Sequence, residues 1–84
     1  PDRDVFSCLR MAEEAATEGG TACAILNGAN EEAVGLFLRD EITFGQIPEL
    51  VEKALHTVTV KFDPTLEDIL EADRQARCVV RESR

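Results

Sequence analysis

The sequence predicts an all-α fold: a small bundle of four to five helices with short connections and no catalytic sheet. Three observations predict it. Apolar residues recur at helical spacing in four stretches, helix stops or capping residues stand at their boundaries, and only one short stretch alternates with the period of a strand. Eighty-four residues are enough for one domain and too few for two, so residues 1–84 are read as one helical domain. The chain starts at Pro1 rather than Met, which leads us to expect a fragment of a longer protein.

The first helix is expected over Ser7 to Glu18. Leu9, Ala12 and Ala16, joined by Phe6 and Cys8, give one apolar stripe. Ser7 or Asp4 serves as its cap. Gly19-Gly20 stops it, because glycine accepts the left-handed conformation that follows a helix end.

The second stretch, Ile25 to Leu38, reads ILNGANEEAVGLFL. Thr21 is placed to cap a short turn through Ala22–Leu26. Gly28 weakens helix continuity by up to about 1 kcal/mol relative to alanine. A helix then carries Ala33, Val34, Phe37 and Leu38 on one face. Asn27 or Asn30 is its natural N-cap. Glu31 and Glu32 fall in or near its first turn, where the helix dipole favours negative charge. On this reading the polar cluster is capping chemistry.

In the third stretch Ile42 and Phe44 form a tether that drops two anchors into the core. Ile47, Leu50, Val51, Ala54 and Leu55 follow at i, i+3, i+4, i+7 and i+8, the strongest helical signal in the chain. Pro48 suits the first turn, where a missing N–H does no harm. His56 to Phe62 alternates Val58, Val60 and Phe62 with polar residues. With no second strand to pair with, it is read as an extended loop that packs those three side chains inward.

The fourth helix follows Asp63-Pro64-Thr65. Thr65 is its N-cap, with Asp68 at the third helical position. Leu66, Ile69, Leu70, Ala76 and Val80 are expected on its buried face, with Asp73 oddly among them. Arg74, Arg77, Arg81 and Arg84 run down one side, and cations near a helix C-terminus are favoured.

Seventeen acidic residues face nine Lys and Arg, for a net charge of −8. Phosphate binding needs a cationic surface, so this balance argues against nucleic acid and against anionic membrane surfaces. No apolar run is long enough to span a membrane, and no secretory signal pattern is visible. Cys8, Cys23 and Cys78 have neither zinc nor CxxC spacing. Cys8 and Cys23 are read as small apolar residues in a reducing compartment.

A catalytic constellation is missing from the pattern. His56 has only Glu52 one turn before it, and the two are read as a surface pair. The acidic pairs Glu13-Glu14, Glu31-Glu32 and Asp68-Glu71 lack a Glu-x-x-His partner and are read as solvated faces. Gly19-Gly20 has no preceding strand and no GxGxxG or Walker spacing. Ser7 and Ser83 have no activating neighbour. By its residues alone the chain is a helical accessory domain, and a stand-alone acidic helical interaction module is the alternative.

One group of residues is more specific. Phe6-Ser7-Cys8-Leu9, Gly20-Thr21-Ala22, Leu26-Asn27-Gly28-Ala29-Asn30-Glu31, Ala33-Val34, Phe37-Leu38, Ile42-x-Phe44-x-x-Ile47 and Asp73 through Ala76-Arg77 closely resemble the C-terminal domain of 1-deoxy-D-xylulose 5-phosphate reductoisomerase. The resemblance covers nearly the whole chain. Its most specific piece is the Leu-Asn-x-Ala-Asn-Glu block just after Gly-Thr. Members of that family often carry Pro where Ser7 stands, Pro at or near Cys23, and Ala where Gly28 stands.

The resemblance implies an NADPH-dependent oxidoreductase of the non-mevalonate route to isoprenoids. Such an enzyme uses a divalent cation, Mg or Mn, and yields 2-C-methyl-D-erythritol 4-phosphate. It also implies that the cofactor and metal sites lie in other domains, so no catalytic, cofactor-binding or metal residue is carried onto these positions. The helical domain would be one arm of a V-shaped subunit, partnered by the catalytic and NADPH-binding domains of a homodimer. That enzyme works in a bacterial cytoplasm or a plastid-type stroma. Asn27, Asn30, Glu31 and Thr65 are the expected structural or interdomain residues, Asn30 being the candidate for contact with a neighbouring domain.

Overall fold

The computed structural model describes residues 2–84, with side chains from residue 8 onward. Four α-helices follow one another: α1 (Asp2–Glu18), α2 (Ala22–Leu38), α3 (Gln46–Thr57) and α4 (Leu66–Ser83). No strand occurs among the described residues. The central element is α2, which packs against each of the other three helices.

The seams are lined with alanine, so helix backbones approach closely. Ala22, Ala29 and Ala33 of α2, Ala54 of α3, and Ala72 and Ala76 of α4 are buried. Ile25, Leu36, Val51 and Val80 are the largest fully buried apolar side chains. Alanine also has the highest helix propensity, so the same residues favour both the helices and their contact.

The α1 helix starts earlier than its sequence suggests, and Asp4 and Ser7 lie inside it rather than capping it. Among its described side chains Met11 and Ala15 are buried, while Leu9, Ala12, Ala16 and Cys8 are exposed. The expected stripe is therefore rotated. Two arcs of α1 are apolar enough to pack, and the flexible thioether of Met11 fills the seam. Phe6 lies outside the described side chains. Gly19 and Gly20 end the helix at φ +79° and +58°.

Gly20 also has to be small, because a Cβ there would strike the backbone carbonyl of Lys61. Next to it Thr21, fully buried, makes a two-way bond to that residue. Its N–H donates to the Lys61 carbonyl at 3.0 Å, and its hydroxyl accepts from the Lys61 N–H at 2.9 Å. The connection between α3 and α4 is thereby pinned to the start of α2. Thr21 makes no side-chain capping bond to α2.

At its far end α2 closes with a Schellman motif. The Glu41 N–H reaches back to the Leu36 carbonyl at 2.9 Å, and the Asp40 N–H to that of Phe37 at 3.0 Å. Asp40 holds the left-handed position at φ 61°. Of the two expected anchors that follow, Ile42 is buried and Phe44 is exposed. Phe44 instead meets the Phe37 ring edge-on, with centroids 5.5 Å apart.

The α3 helix buries Ile47, Leu50, Val51 and Ala54, with Pro48 in its first turn. In the loop after it Val58 is buried and Val60 partly so, but Phe62 is 64% exposed. Cys8, Cys23 and Cys78 are free thiols, and Cys8 and Cys23 are exposed rather than core residues. No described helix is long and apolar enough to cross a membrane.

Candidate functional site

The polar cluster that opens the second stretch does not start a helix. Because α2 runs unbroken from Ala22 to Leu38, Asn27, Asn30 and Glu31 all lie in its interior. The reading of Asn27 or Asn30 as an N-cap, with Glu31 in the first turn after it, is corrected accordingly. Gly28 interrupts nothing, since it is buried against α4, where a Cβ would meet the carboxylate of Asp73. Tertiary contact there outweighs glycine's poor helix propensity.

Asp73, Arg77 and Arg81 of α4 form an ionic clamp with α2. The Arg77 guanidinium donates to Asp73 Oδ2 at 3.1 Å and to Glu31 Oε1 at 2.9 Å. Arg81 donates to Glu32 Oε1 at 3.3 Å. Glu31, with Asp73, holds the Arg77 guanidinium more firmly protonated than usual. Glu31 is thus an interhelical ion-pair partner. Asn27 and Asn30 are exposed on the outer face of α2, and among the described residues neither carboxamide is hydrogen-bonded.

Thr65 caps α4. Its hydroxyl accepts from the Asp68 N–H at 3.1 Å, and the Asp68 carboxylate accepts from the Thr65 N–H at 3.0 Å, a complete capping box. The bond from the Thr65 N–H holds the Asp68 carboxyl below its usual range. One turn on, Arg74 and then Gln75 donate to Glu71 and lower its carboxyl to about 2.

The described residues do not fit the NADPH and divalent cation that the resemblance attaches to the longer enzyme. A pyrophosphate needs a glycine turn open to it, and the turn at Gly20 is closed by the Lys61 carbonyl. A divalent cation needs carboxylates converging on one point. Here Glu31, Glu32 and Asp73 are held by Arg77 and Arg81, Glu14 and Glu52 by Arg10, and Glu71 by Arg74. The expected surface pairing of Glu52 with His56 gives way to the one with Arg10, at 3.4 Å.

One broad feature was missed from the sequence. A cleft of about 600 Å³ opens between α2 and α4, lined by Cys23, Ala24, Leu26, Asn27, Ile69 and Leu70, with Gly20 and Asp73 at its margins. Leu66 and Leu70 of α4, expected in the core, are 71% and 60% exposed, and Ile69 is also exposed. The bundle covers only the arc of Ala72, Ala76 and Val80. A signal was available: α2 carries just two charged side chains, Glu31 and Glu32, in a chain that is 31% charged.

Comparison with known proteins agrees with the architecture. Residues 1–79 match the family model described as the DXP reductoisomerase C-terminal domain. The chain is 50% identical over 82 residues to the 1-deoxy-D-xylulose 5-phosphate reductoisomerase of Acetivibrio thermocellus, covering 98% of this chain and 22% of that protein. It is 49% identical to the enzyme of that name from Rippkaea orientalis, over 92% of this chain and 20% of the relative. For the Clostridium perfringens enzyme the identity is 43%, with the same coverage. The chain spans about a fifth of the length of these relatives. It belongs to the DXP reductoisomerase C-terminal domain family.

Proposed function

We propose that residues 1–84 are the non-catalytic helical domain of a longer reductoisomerase. That enzyme converts 1-deoxy-D-xylulose 5-phosphate to 2-C-methyl-D-erythritol 4-phosphate in isoprenoid biosynthesis. The supporting observation is 43–50% identity to enzymes of that name over almost the whole of this chain but only 20–22% of theirs. The acidic residues tied into arginine pairs give the same reading a chemical basis, since they serve helix contact rather than catalysis. NADPH and the divalent cation are held by the remaining domains, in a homodimer in a bacterial cytoplasm or a plastid stroma. The chain's own task is to add stability and to position those domains.

The test is NADPH consumption with 1-deoxy-D-xylulose 5-phosphate and Mn²⁺. The full-length protein carrying this chain is expected to oxidise NADPH under these conditions, and the 84-residue chain is expected to leave it unchanged. Turnover by the short chain, or none by the full-length protein, contradicts the proposal.

A further inference from the structure

The outward face of α2 is unusual for a surface in so charged a chain. Cys23, Leu26, Asn27, Asn30, Val34 and Leu38 follow one another along it at helical spacing; none is charged, Leu26 and Val34 are partly buried, and the exposed Glu31, paired with Arg77, stands at the edge of the stripe. Over those 16 positions, Cys23 to Leu38, the stripe runs about 22 Å. On one flank lies the cleft against Ile69 and Leu70 of α4, and on the other a smaller apolar groove against Cys8 and Ala12 of α1. Depletion of charge around apolar and amide side chains is the composition of an interface core. Contiguous exposed apolar surface of this kind marks a site of association.

The α4 helix supports the same conclusion from its own pattern. Leu66, Ile69 and Leu70 continue the apolar arc of Ala72, Ala76 and Val80, so the arc is wider than the bundle can cover. The carboxamides of Asn27 and Asn30, which make no hydrogen bond among the described residues, supply what such a face needs besides apolar area, namely donors and acceptors for the backbone of an incoming segment.

We infer that this face, centred on Leu26 and Asn27 and extended by Leu70, is where the rest of the reductoisomerase polypeptide docks. The inference rests on the reading that the chain is one domain of that longer enzyme. Two facts select this occupant. The relatives carry about four-fifths of their length outside the match, so a large covalently linked partner accompanies this domain. A second copy of the chain would instead bring another net charge of −8 against the first, and like charge opposes that pairing.

The native thiols report on the face. Cys23 lies on it, while Cys78 sits elsewhere on α4, beside Arg74 and Arg81. Alkylation by N-ethylmaleimide, followed residue by residue by mass spectrometry, compares the 84-residue chain with the full-length enzyme. Cys23 is expected to slow by about tenfold or more in the full-length enzyme, while Cys78 changes by less than about threefold. Leu70→Arg in the full-length enzyme is expected to bring Cys23 back towards the rate of the short chain. The same substitution in the short chain leaves its thermal midpoint nearly unchanged, because Leu70 is already exposed there.

An active full-length enzyme whose Cys23 reacts as fast as in the short chain overturns the docking face and leaves the functional reading standing. A full-length protein without reductoisomerase activity removes both. Protection of Cys23 in the short chain that grows with its concentration identifies the occupant as a second copy and overturns the inference.

Discussion

The Cα of Gly28 lies so close to the carboxylate of Asp73 that a methyl group at residue 28 would collide with it. The Asp73 backbone carbonyl oxygen would stand 3.0 Å from that methyl carbon. Asp73 cannot simply swing away, because Arg77 holds its other oxygen at 3.1 Å. Two opposing effects therefore meet in Gly28→Ala: a gain of about 1 kcal/mol in helix propensity and a clash across the seam. The gain is expected to be largely cancelled in the native background and recovered in Asp73→Ala. Gly28→Val, which adds bulk against a backbone carbonyl, is expected to cost about 1–3 kcal/mol. Urea unfolding of the four variants measures the coupling. Additivity of Gly28→Ala and Asp73→Ala would show that the two residues do not press on each other.

Thr65→Ala removes one half of the α4 capping box. The expected loss is about 1 kcal/mol, which lowers the melting temperature of a chain this size by about 4–8 °C. Thr65→Ser retains the hydroxyl and is expected to restore most of it. Thermal unfolding followed by circular dichroism checks both. Equal melting of Thr65→Ala and the parent would show that the box contributes nothing.

Asp40 occupies the left-handed position of the α2 Schellman motif, where glycine is the usual residue. Asp40→Gly removes the Cβ penalty of that conformation, against a larger entropy loss on folding. It is expected to stabilise by about 0.5–1 kcal/mol. A fall in the urea midpoint would mean that the Asp40 side chain has a compensating role.

The Glu71 carboxyl is lowered from its usual 4.5 to about 2, chiefly by Arg74. A depressed folded pKa contributes stability above the unfolded value, which is lost as pH falls through the folded one. The contribution is therefore present in full above pH 4.5 and disappears between about 4.5 and 2. Because the pair is exposed its size is modest. Glu71→Gln should melt slightly below the parent at pH 7 and together with it near pH 2, and a gap that persists at pH 2 would assign the loss to something other than charge.

How much of this could be read in the residues varies by element. In α3, Ile47, Leu50, Val51 and Ala54 all face inward as their period indicates, because one sharply apolar arc leaves a single way to pack. Thr65 with Asp68 and Gly19-Gly20 were equally legible, since caps and stops depend on neighbours in sequence. The continuity of α2 was not legible. Asn27, Gly28 and Asn30 resemble a break locally, and only the approach of Asp73 from 45 residues away explains a buried glycine. In α4 the period was right and the arc wrong, because hydropathy does not say which of two adjacent arcs the rest of the chain will cover. The ionic clamp was hidden too, since Glu31 and Arg77 are brought together only by the α2–α4 seam.

Deleting this domain from the full-length enzyme, while the remaining polypeptide is assayed for NADPH-dependent turnover and thermal stability, is the most direct test. If the bundle braces and positions the catalytic parts, the shortened enzyme loses most of its turnover and melts at lower temperature, although on the proposed reading it keeps every group that binds NADPH or metal. A shortened enzyme that turns over and melts like the intact one would contradict that role.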